Sequence, residues 1–368
     1  MCWRLPASRI RIPGLEQEEA SMKTKWKATA LALGAALCAG AAHAQSSVQL
    51  YGLLDAFVAY KKPMSGPSSV VAGNGGMTAP YFGLRGSEDL GGGTRAIFDL
   101  EGYFNIQTGA MGRTGFPNDG LFSRNAYVGL SGRYGTATVG LIPPLLWYST
   151  ITFNPFWNSF VFSPIVLHSY VGVNGQGVFG NAGEWWNAAY YASPAIGGFV
   201  GRAMYSFGNA PGHLGQNKWS GQLAYNNGGF ATSLVYQRIK YSLNAGDLGT
   251  VLPGLTTQSV LNLGASWDLG FVKLYGQYQH VWDAISSGRV GIDTGQLGFS
   301  IPVGVGRILG SDAYSKSSGN SSVYRNTWSL AYDYPLSRRT DLYAAVLSDR
   351  ASRLATGTTI GGGTRVQF

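Results

Sequence analysis

Apolar and polar residues alternate with a period of two along most of the chain after Val48. The alternating stretches are about ten residues long, and short turns and longer polar loops follow them in turn. Seven short turns imply eight longer loops, which predicts sixteen strands joined as hairpins. The predicted strands cover residues 48–60, 80–87, 94–108, 121–131, 136–142, 184–193, 199–207, 218–226, 230–241, 258–267, 271–282, 290–300, 306–314, 323–333, 340–348 and 358–368.

The composition indicates whether the apolar faces of the strands contact lipid or the core of a soluble protein. Only 12% of the residues are charged, whereas soluble domains carry about 25%. No apolar run is long enough for a membrane helix, and an even number of strands can close into a barrel that leaves no backbone unpaired in lipid. We therefore predict an all-β protein, a 16-stranded antiparallel transmembrane β-barrel. A soluble β-sandwich is the alternative, but it should carry more charge.

The alternation also assigns faces, because a basic side chain on the lipid side costs about 2–4 kcal/mol at the bilayer midplane. In the second and third strands, we expect Phe82, Leu84, Ala96, Phe98 and Leu100 to face lipid and Tyr81, Gly83, Arg85, Arg95, Asp99 and Glu101 to face inward. Side chains cannot fill the lumen of a barrel of this size. The interior should hold water, and another part of the chain should narrow it.

The connection of about forty residues between the fifth and sixth strands, residues 143–183, is the candidate for that role. It has no charged residue and is rich in aromatic side chains such as Trp147, Phe156 and Trp157. Folded inward, it would set the pore size. Its aromatic side chains would either pack it against the wall or a neighbouring subunit, or contact solutes.

The first residues resemble a targeting segment. A basic stretch from Met22 to Lys27, an apolar stretch over 28–40 and the small residues around His43 predict a signal peptide over 22–44, rather than a membrane anchor. Residues 1–21 are expected to be an over-extended start, and 45–368 the barrel domain. Both cysteines then lie outside the mature chain, which excludes disulfides and thiolate metal sites.

Neither the charge nor the reactive side chains of the sequence indicate an enzyme. The mature chain has 21 basic and 15 acidic residues, a net charge of +6 that is spread along it. A positive charge that is spread in this way favours interaction with small anions over the binding of nucleic acid. The sequence Gly175 to Gly180 matches a dinucleotide-binding pattern but opens no helix after a strand, and the histidines stand alone. Asp99 and Glu101 could form a carboxylate pair, but we favour hydrated lumen carboxylates facing arginines. We predict no catalysis, no cofactor and no metal.

Several segments together resemble the trimeric general porins of Gram-negative outer membranes, most closely the betaproteobacterial type. The segments are 48–55, 82–93, 126–132, 134–140, 336–345 and the terminal Phe368. The resemblance covers the whole mature chain. It implies an outer-membrane homotrimer surrounded by lipid and lipopolysaccharide, passive diffusion of small hydrophilic solutes and ions, and a third loop folded into the lumen. It also implies that the barrel-assembly machinery reads Phe368.

The resemblance adds Arg124, which matches a basic residue that faces the constriction in the family. Tyr81, Leu141 and Glu184 stand where the family often has arginine. The residues expected at the constriction are therefore Arg85, Arg95, Asp99, Glu101, Arg124, Tyr81, Leu141, Trp147, Phe156, Trp157 and Glu184. We expect a pore with weakened anion selectivity and an apolar constriction. The alternatives are a channel for amphipathic or aromatic solutes, and a structural or adhesive barrel sealed by the long loop.

Overall fold

The computed structural model describes residues 47–113, 119–173, 184–207, 218–241, 254–286, 288–319 and 322–368. The expected signal peptide and extended start lie outside these residues, as does the segment from Gly175 to Gly180. The described strands are β1 Ser47–Lys62, β2 Ser69–Asn74, β3 Tyr81–Gly91, β4 Thr94–Tyr103, β5 Asn125–Gly132, β6 Gly135–Ile142, β7 Trp185–Ala192, β8 Phe199–Ser206, β9 Lys218–Asn227, β10 Phe230–Lys240, β11 Leu255–Asp268, β12 Lys273–Ile285, β13 Gly288–Val303, β14 Gly306–Ser318, β15 Tyr324–Pro335, β16 Thr340–Ala351 and β17 Gly357–Gln367.

The strands form one closed antiparallel barrel. From β3 to β17, consecutive strands pair with each other, and β1 pairs with β17 from Leu53↔Gln367 to Lys62↔Thr358. Both β2 and β3 pair with β1: β3 runs along Ser47–Leu53 and β2 along Ala56–Lys61. These two segments therefore share one position in the wall, and the seventeen described strands fill sixteen positions. The predicted 16-stranded barrel is confirmed.

Burial along the wall is the reverse of that in a soluble protein. On β10, Ser233 is 2% exposed whereas its neighbour Leu234 is 47% exposed. The same alternation continues on β11, where Asn262 is buried and Leu263 is exposed. A belt of exposed leucine, tryptophan and tyrosine side chains around buried amides and hydroxyls suits a wall that has lipid outside and water inside.

Most strand boundaries agree with the alternation to within three residues, but the ends of β3, β4 and β14 and the start of β5 differ by four or five. The segment β2 was not predicted, and the strand predicted over 80–87 is only the second half of its wall position. The faces predicted for β3 and β4 are confirmed, since Leu84 pairs with Leu100 on one face and Arg85 with Asp99 on the other.

Two short helices lie in the connection between β6 and β7, α1 (Leu145–Thr152) and α2 (Pro164–Tyr170). Helix α1 contacts β9, β10 and β11, and α2 contacts β13, β14 and β15. The connection thus reaches strands far from the two that it joins. No helix in the described ranges is long and apolar enough to cross a bilayer.

Candidate functional site

A group of charged and tyrosine side chains gathers on the inner face of β1, β3 and β4 and just before β5. We call Tyr51, Tyr81, Arg85, Asp99, Glu101 and Arg124 the wall cluster. The hydroxyl of Tyr51 lies 2.7 Å from Asp99 Oδ1 and 2.6 Å from Glu101 Oε1. Period-2 alternation places these side chains together, because Asp99 and Glu101 are two residues apart on β4 and Gly83 of β3 pairs with both Tyr51 and Glu101.

Arg124 completes the wall cluster from a position that alternation does not determine. It lies one residue before β5, and its backbone N–H donates to the carbonyl of Glu101 at 2.9 Å. Its guanidinium forms an ion pair with the Glu101 carboxylate and lies 4.0 Å from the centroid of the Tyr81 ring. Arg85 donates to Gln49 Oε1 at 2.8 and 3.0 Å. Two arginines and two carboxylates thus leave the wall cluster without a large net charge.

Glu184 belongs to a second group at the long-loop end of the wall. Its carboxylate lies 3.6 Å from the Arg113 guanidinium and 3.3 Å from the Tyr103 hydroxyl, and Arg113 also pairs with Asp119 at 2.8 Å. Arg124 lies 6.0 Å from the Tyr103 ring, so Tyr103 separates this group from the wall cluster. Burial raises the pKa of Glu184 to about 7, despite the nearby arginine.

Residues 143–173, which we call the long segment, are fastened to the wall by polar side chains. The Ser149 hydroxyl of α1 lies 2.9 Å from Ser233 Oγ and donates to Asn262 Oδ1 at 2.7 Å. Gln277 Nε2 donates to the carbonyl of Thr150 at 2.9 Å. These partners all lie on the polar face of β10, β11 and β12, so the long segment packs on that face.

The end of α2 is held by a buried ion pair. Arg325 donates to the carbonyls of Leu167 at 2.9 Å and Val171 at 2.7 Å, and it pairs with Asp349 at 2.7 Å. Carbonyls at a helix C-terminus lack intrahelical partners, so a guanidinium there donates hydrogen bonds to them. Its positive charge also interacts favourably with the negative end of the helix dipole. One turn earlier, His168 Nε2 lies 2.8 Å from the Thr327 hydroxyl.

The predicted aromatic residues of the long segment differ in burial. Phe156 is fully buried in a cluster that includes Tyr343, so it packs the segment against the wall. Trp157 is 49% exposed. Trp147 is half-buried and stacks on Phe160, with the ring centroids 5.6 Å apart.

Two other predicted residues lie away from the wall cluster. Leu141 pairs with Ala126 on the lipid-side face that Val139 shares, and its neighbour Ile142 faces inward and is buried. The prediction that Leu141 lines the constriction is therefore wrong. Arg95 does face inward, but it lies four residues before Asp99 on β4, next to the turn after β3.

The terminal residue extends the wall beyond β17. Phe368 exchanges two backbone hydrogen bonds of 3.1 Å with Gly52, and its ring lies against this glycine, where a Cβ would meet it at 2.5 Å. This arrangement explains why glycine stands at position 52. The side chain of Phe368 is 44% exposed.

Sequence reasoning missed the residues that fasten the long segment. Arg325, Thr327 and Asp349 all occupy inner positions of β15 and β16, so the same alternation could have assigned their faces. Their pairing with α2 has no signal in the sequence, because it depends on where the long segment crosses the wall.

Two cavities lie along the polar face. One of 740 Å³ opens at the end with the short turns, and its lining includes five basic residues and three aspartates. The charged lining residues are Lys273, Arg307, Arg338, Arg339, Arg365, Asp268, Asp333 and Asp341. The other, of 560 Å³, lies between α1 and the strands from β4 to β10, and Arg202 is its one charged lining residue.

Comparison with known proteins agrees with this architecture. A sequence profile described as Gram-negative porin matches residues 28–354. The chain is 33% identical to outer membrane porin protein 32 of Delftia acidovorans, over 86% of this chain and 88% of that protein. It is 28% identical to an outer membrane porin protein of Bordetella pertussis, over 94% of this chain and all of that protein.

Among solved structures, the anion-selective porin from Comamonas acidovorans is similar, with 27% identity and a TM-score of 0.73 over 88% of this chain and all of that one. Porins are channels and not enzymes, which agrees with the absence of a catalytic motif in the sequence. A closed barrel with a lipid-facing apolar belt, a polar inner face and these matches together show that the chain belongs to the Gram-negative porin family of outer-membrane channels.

Proposed function

We propose that the long segment lies across the lumen of this channel and forms a constriction with little net charge. The supporting observation is the charge balance of the two surfaces that would line the constriction, the wall cluster and the long segment. The wall cluster opposes two arginines with two carboxylates, and the long segment has no charged residue. Selectivity in a pore follows the charge at its narrowest point. The channel therefore passes small hydrophilic solutes and ions with only a weak preference for anions.

The sealed-barrel alternative fits the structure less well. A cavity of 560 Å³ remains beside the long segment and one of 740 Å³ lies at the end with the short turns, so packing does not fill the interior. Swelling of liposomes in sugars of graded size separates the two functions, because a sealed barrel gives no swelling. Single-channel conductance with a reversal potential in a salt gradient then measures the selectivity. A strong anion preference in the wild-type channel would overturn the proposed constriction.

Replacing Glu101 with glutamine should raise the permeability ratio of chloride to potassium by about twofold or more. The variant keeps the shape of the side chain but leaves Arg124 without its carboxylate partner. Reversal potentials in planar bilayers test this. Glu88→Gln on β3 is the control, because Glu88 pairs with Ala96 of β4 and lies outside the wall cluster. Equal shifts in both variants would contradict the assignment of the wall cluster to the constriction.

The selectivity should also depend on pH through Glu184. Because the pKa of Glu184 is raised to about 7, the carboxyl takes up a proton as the pH falls from about 8 to about 6, and the channel loses a negative charge. The anion preference should therefore rise as the pH falls. In Glu184→Gln this pH dependence should be absent, and its reversal potential should match the acidic wild type at every pH.

We further propose a homotrimer that packs through the outer face of β1 and β3 to β5. Val48, Leu50 and Val128 are more than half exposed there, so this face carries uncovered apolar side chains. Lipid and lipopolysaccharide would cover the remaining apolar belt, and the assembly machinery would bind Phe368. Native mass spectrometry of the purified channel tests the trimer. An oligomer that persists when Leu50 and Val128 are both replaced by lysine would place the contact elsewhere.

A further inference from the structure

The 560 Å³ cavity beside α1 differs in chemistry from the rest of the inner face. We propose that it is a binding site for aromatic monocarboxylates on their way through the channel. The inference rests on the proposed channel function and names a solute class for it. The volume is in the range of sites for small organic ligands, about 300–1,000 Å³.

Arg202 supplies the charge that would select an anion. It lies on the inner face of β8, and its Nη1 donates to Gln222 Oε1 at 2.8 Å, which fixes one edge of the guanidinium. Within the described ranges, Arg202 has no carboxylate partner, whereas Arg124, Arg307 and Arg325 are each paired with one. A guanidinium has five N–H donors and binds carboxylates through two parallel hydrogen bonds. The solute can supply the missing carboxylate.

Aromatic side chains line the same cavity as this cation. Tyr127, Tyr148 and Tyr190 are all among its lining residues. Phe153 closes the cavity from the end of α1. Aromatic pairs gain about 0.5–1.5 kcal/mol beyond their burial when their rings lie edge to face or offset. A solute ring that enters while its carboxylate binds Arg202 can make such pairs.

The remaining lining argues against other solute classes. The apolar side chains of Ile142 and Leu145 favour a ring over a sugar. The cavity has one cation and no acid, so a dicarboxylate would leave its second charge without a partner. A short aliphatic acid would bind Arg202 but make no ring contacts. The expected order is therefore benzoate above acetate, with benzyl alcohol and phthalate weaker than benzoate.

The test is the block of ion current by added benzoate in planar bilayers at low salt. We expect a concentration-dependent fall in current with half-block on the order of millimolar, weak enough for the solute to leave the channel. Acetate should need an about tenfold higher concentration. Cyclohexanecarboxylate, which has similar size but no aromatic ring, should lie between them. Equal block by acetate and benzoate would overturn the proposal.

Variants locate the block. Arg202→Gln should raise the half-blocking benzoate concentration about tenfold or more, and Arg202→Lys should raise it less, because a lysine keeps the charge but loses the paired donors. Arg95→Gln removes the same charge from the same wall outside the cavity lining and should leave the block as in the wild type. Tyr190→Leu should reduce the difference between benzoate and acetate.

The outcomes separate this inference from the proposed function. Open-channel steps without any benzoate block would refute the binding site and leave the channel function standing. The absence of open-channel steps in the wild-type protein would refute both. A block that Arg202→Gln and Arg95→Gln weaken equally would show a general effect of lumen charge and would overturn the site.

Discussion

Replacing Arg325 with methionine is expected to destabilise the barrel by about 3–5 kcal/mol, because one partner of a buried ion pair is removed. The side chains of Arg325 and Asp349 are only 3% and 11% exposed. Without the guanidinium, the Asp349 carboxylate keeps the Thr327 hydroxyl but loses its counter-charge. The carbonyls of Leu167 and Val171 lose their donor as well. Urea titration of the detergent-folded protein, with intrinsic fluorescence as the signal, measures the loss.

The same substitution should disturb the current through the channel. Arg325 fastens the end of α2 to the wall, so the long segment should move more when it is absent. We expect rapid current fluctuations within each open step, which are rare in the wild type. Such fluctuations report the position of the long segment and would not follow from a loss of stability in the wall alone.

Two variants keep this prediction open to refutation. Arg307→Met breaks a similar ion pair, but Arg307 is 56% exposed and its partner Asp333 keeps Arg365, so the loss should stay below about 1 kcal/mol. Arg325→Met with Asp349→Leu removes both buried charges and should recover a large part of the stability. If Arg325→Met alone were as stable as the wild type and showed no additional current fluctuations, this ion pair would not hold α2.

The sequence predicts the wall of this protein far better than its interior. Alternation has a direct physical cause, since each strand must present one face to lipid, and so it predicts nearly every strand and the faces of Arg85, Asp99 and Leu84. Arg124 stands outside the strands, and only the family resemblance pointed to it. Leu141 shows the opposite case, because the family resemblance placed it at the constriction, whereas alternation puts it on the same outer face as Val139.

The interior depends on contacts between distant parts of the chain. Asp55 lies in a strand that was predicted correctly, but nothing nearby in sequence shows that it binds backbone groups twenty residues later. The segment β2 was missed for the same reason. The chain leaves the wall after Asn74, and the residues before Tyr81 turn inward over Asp55. The alternation of apolar and polar residues stops at that point, so the pattern alone predicts a loop there.

Replacing Asp55 with alanine is expected to cost about 3–5 kcal/mol, comparable to the loss of the Arg325 pair. Asp55 is fully buried, and its carboxylate accepts hydrogen bonds from the backbone N–H groups of Met77 at 2.8 Å and Thr78 at 2.7 Å. It also accepts from Gly76 N–H at 3.2 Å and from the Tyr343 hydroxyl at 2.7 Å. Alanine leaves all four donors without this acceptor, and each unsatisfied buried group costs about 1–3 kcal/mol unless water reaches it.

Urea titration and amide hydrogen exchange of residues 76–78 measure the effect of Asp55→Ala. Tyr343→Phe is the matched control, because it removes one of the four donors and leaves the carboxylate in place, and it should cost about 1 kcal/mol. Asp55→Asn should be nearly as damaging as alanine, since one acceptor oxygen becomes an amide group that faces backbone N–H donors. If Asp55→Ala were no less stable than Tyr343→Phe, and residues 76–78 kept their protection, the connection between β2 and β3 would be held by the surrounding packing. In that case the Ser159 hydroxyl of the long segment, which donates to the carbonyl of Gly76 at 2.5 Å, would be the next contact to remove.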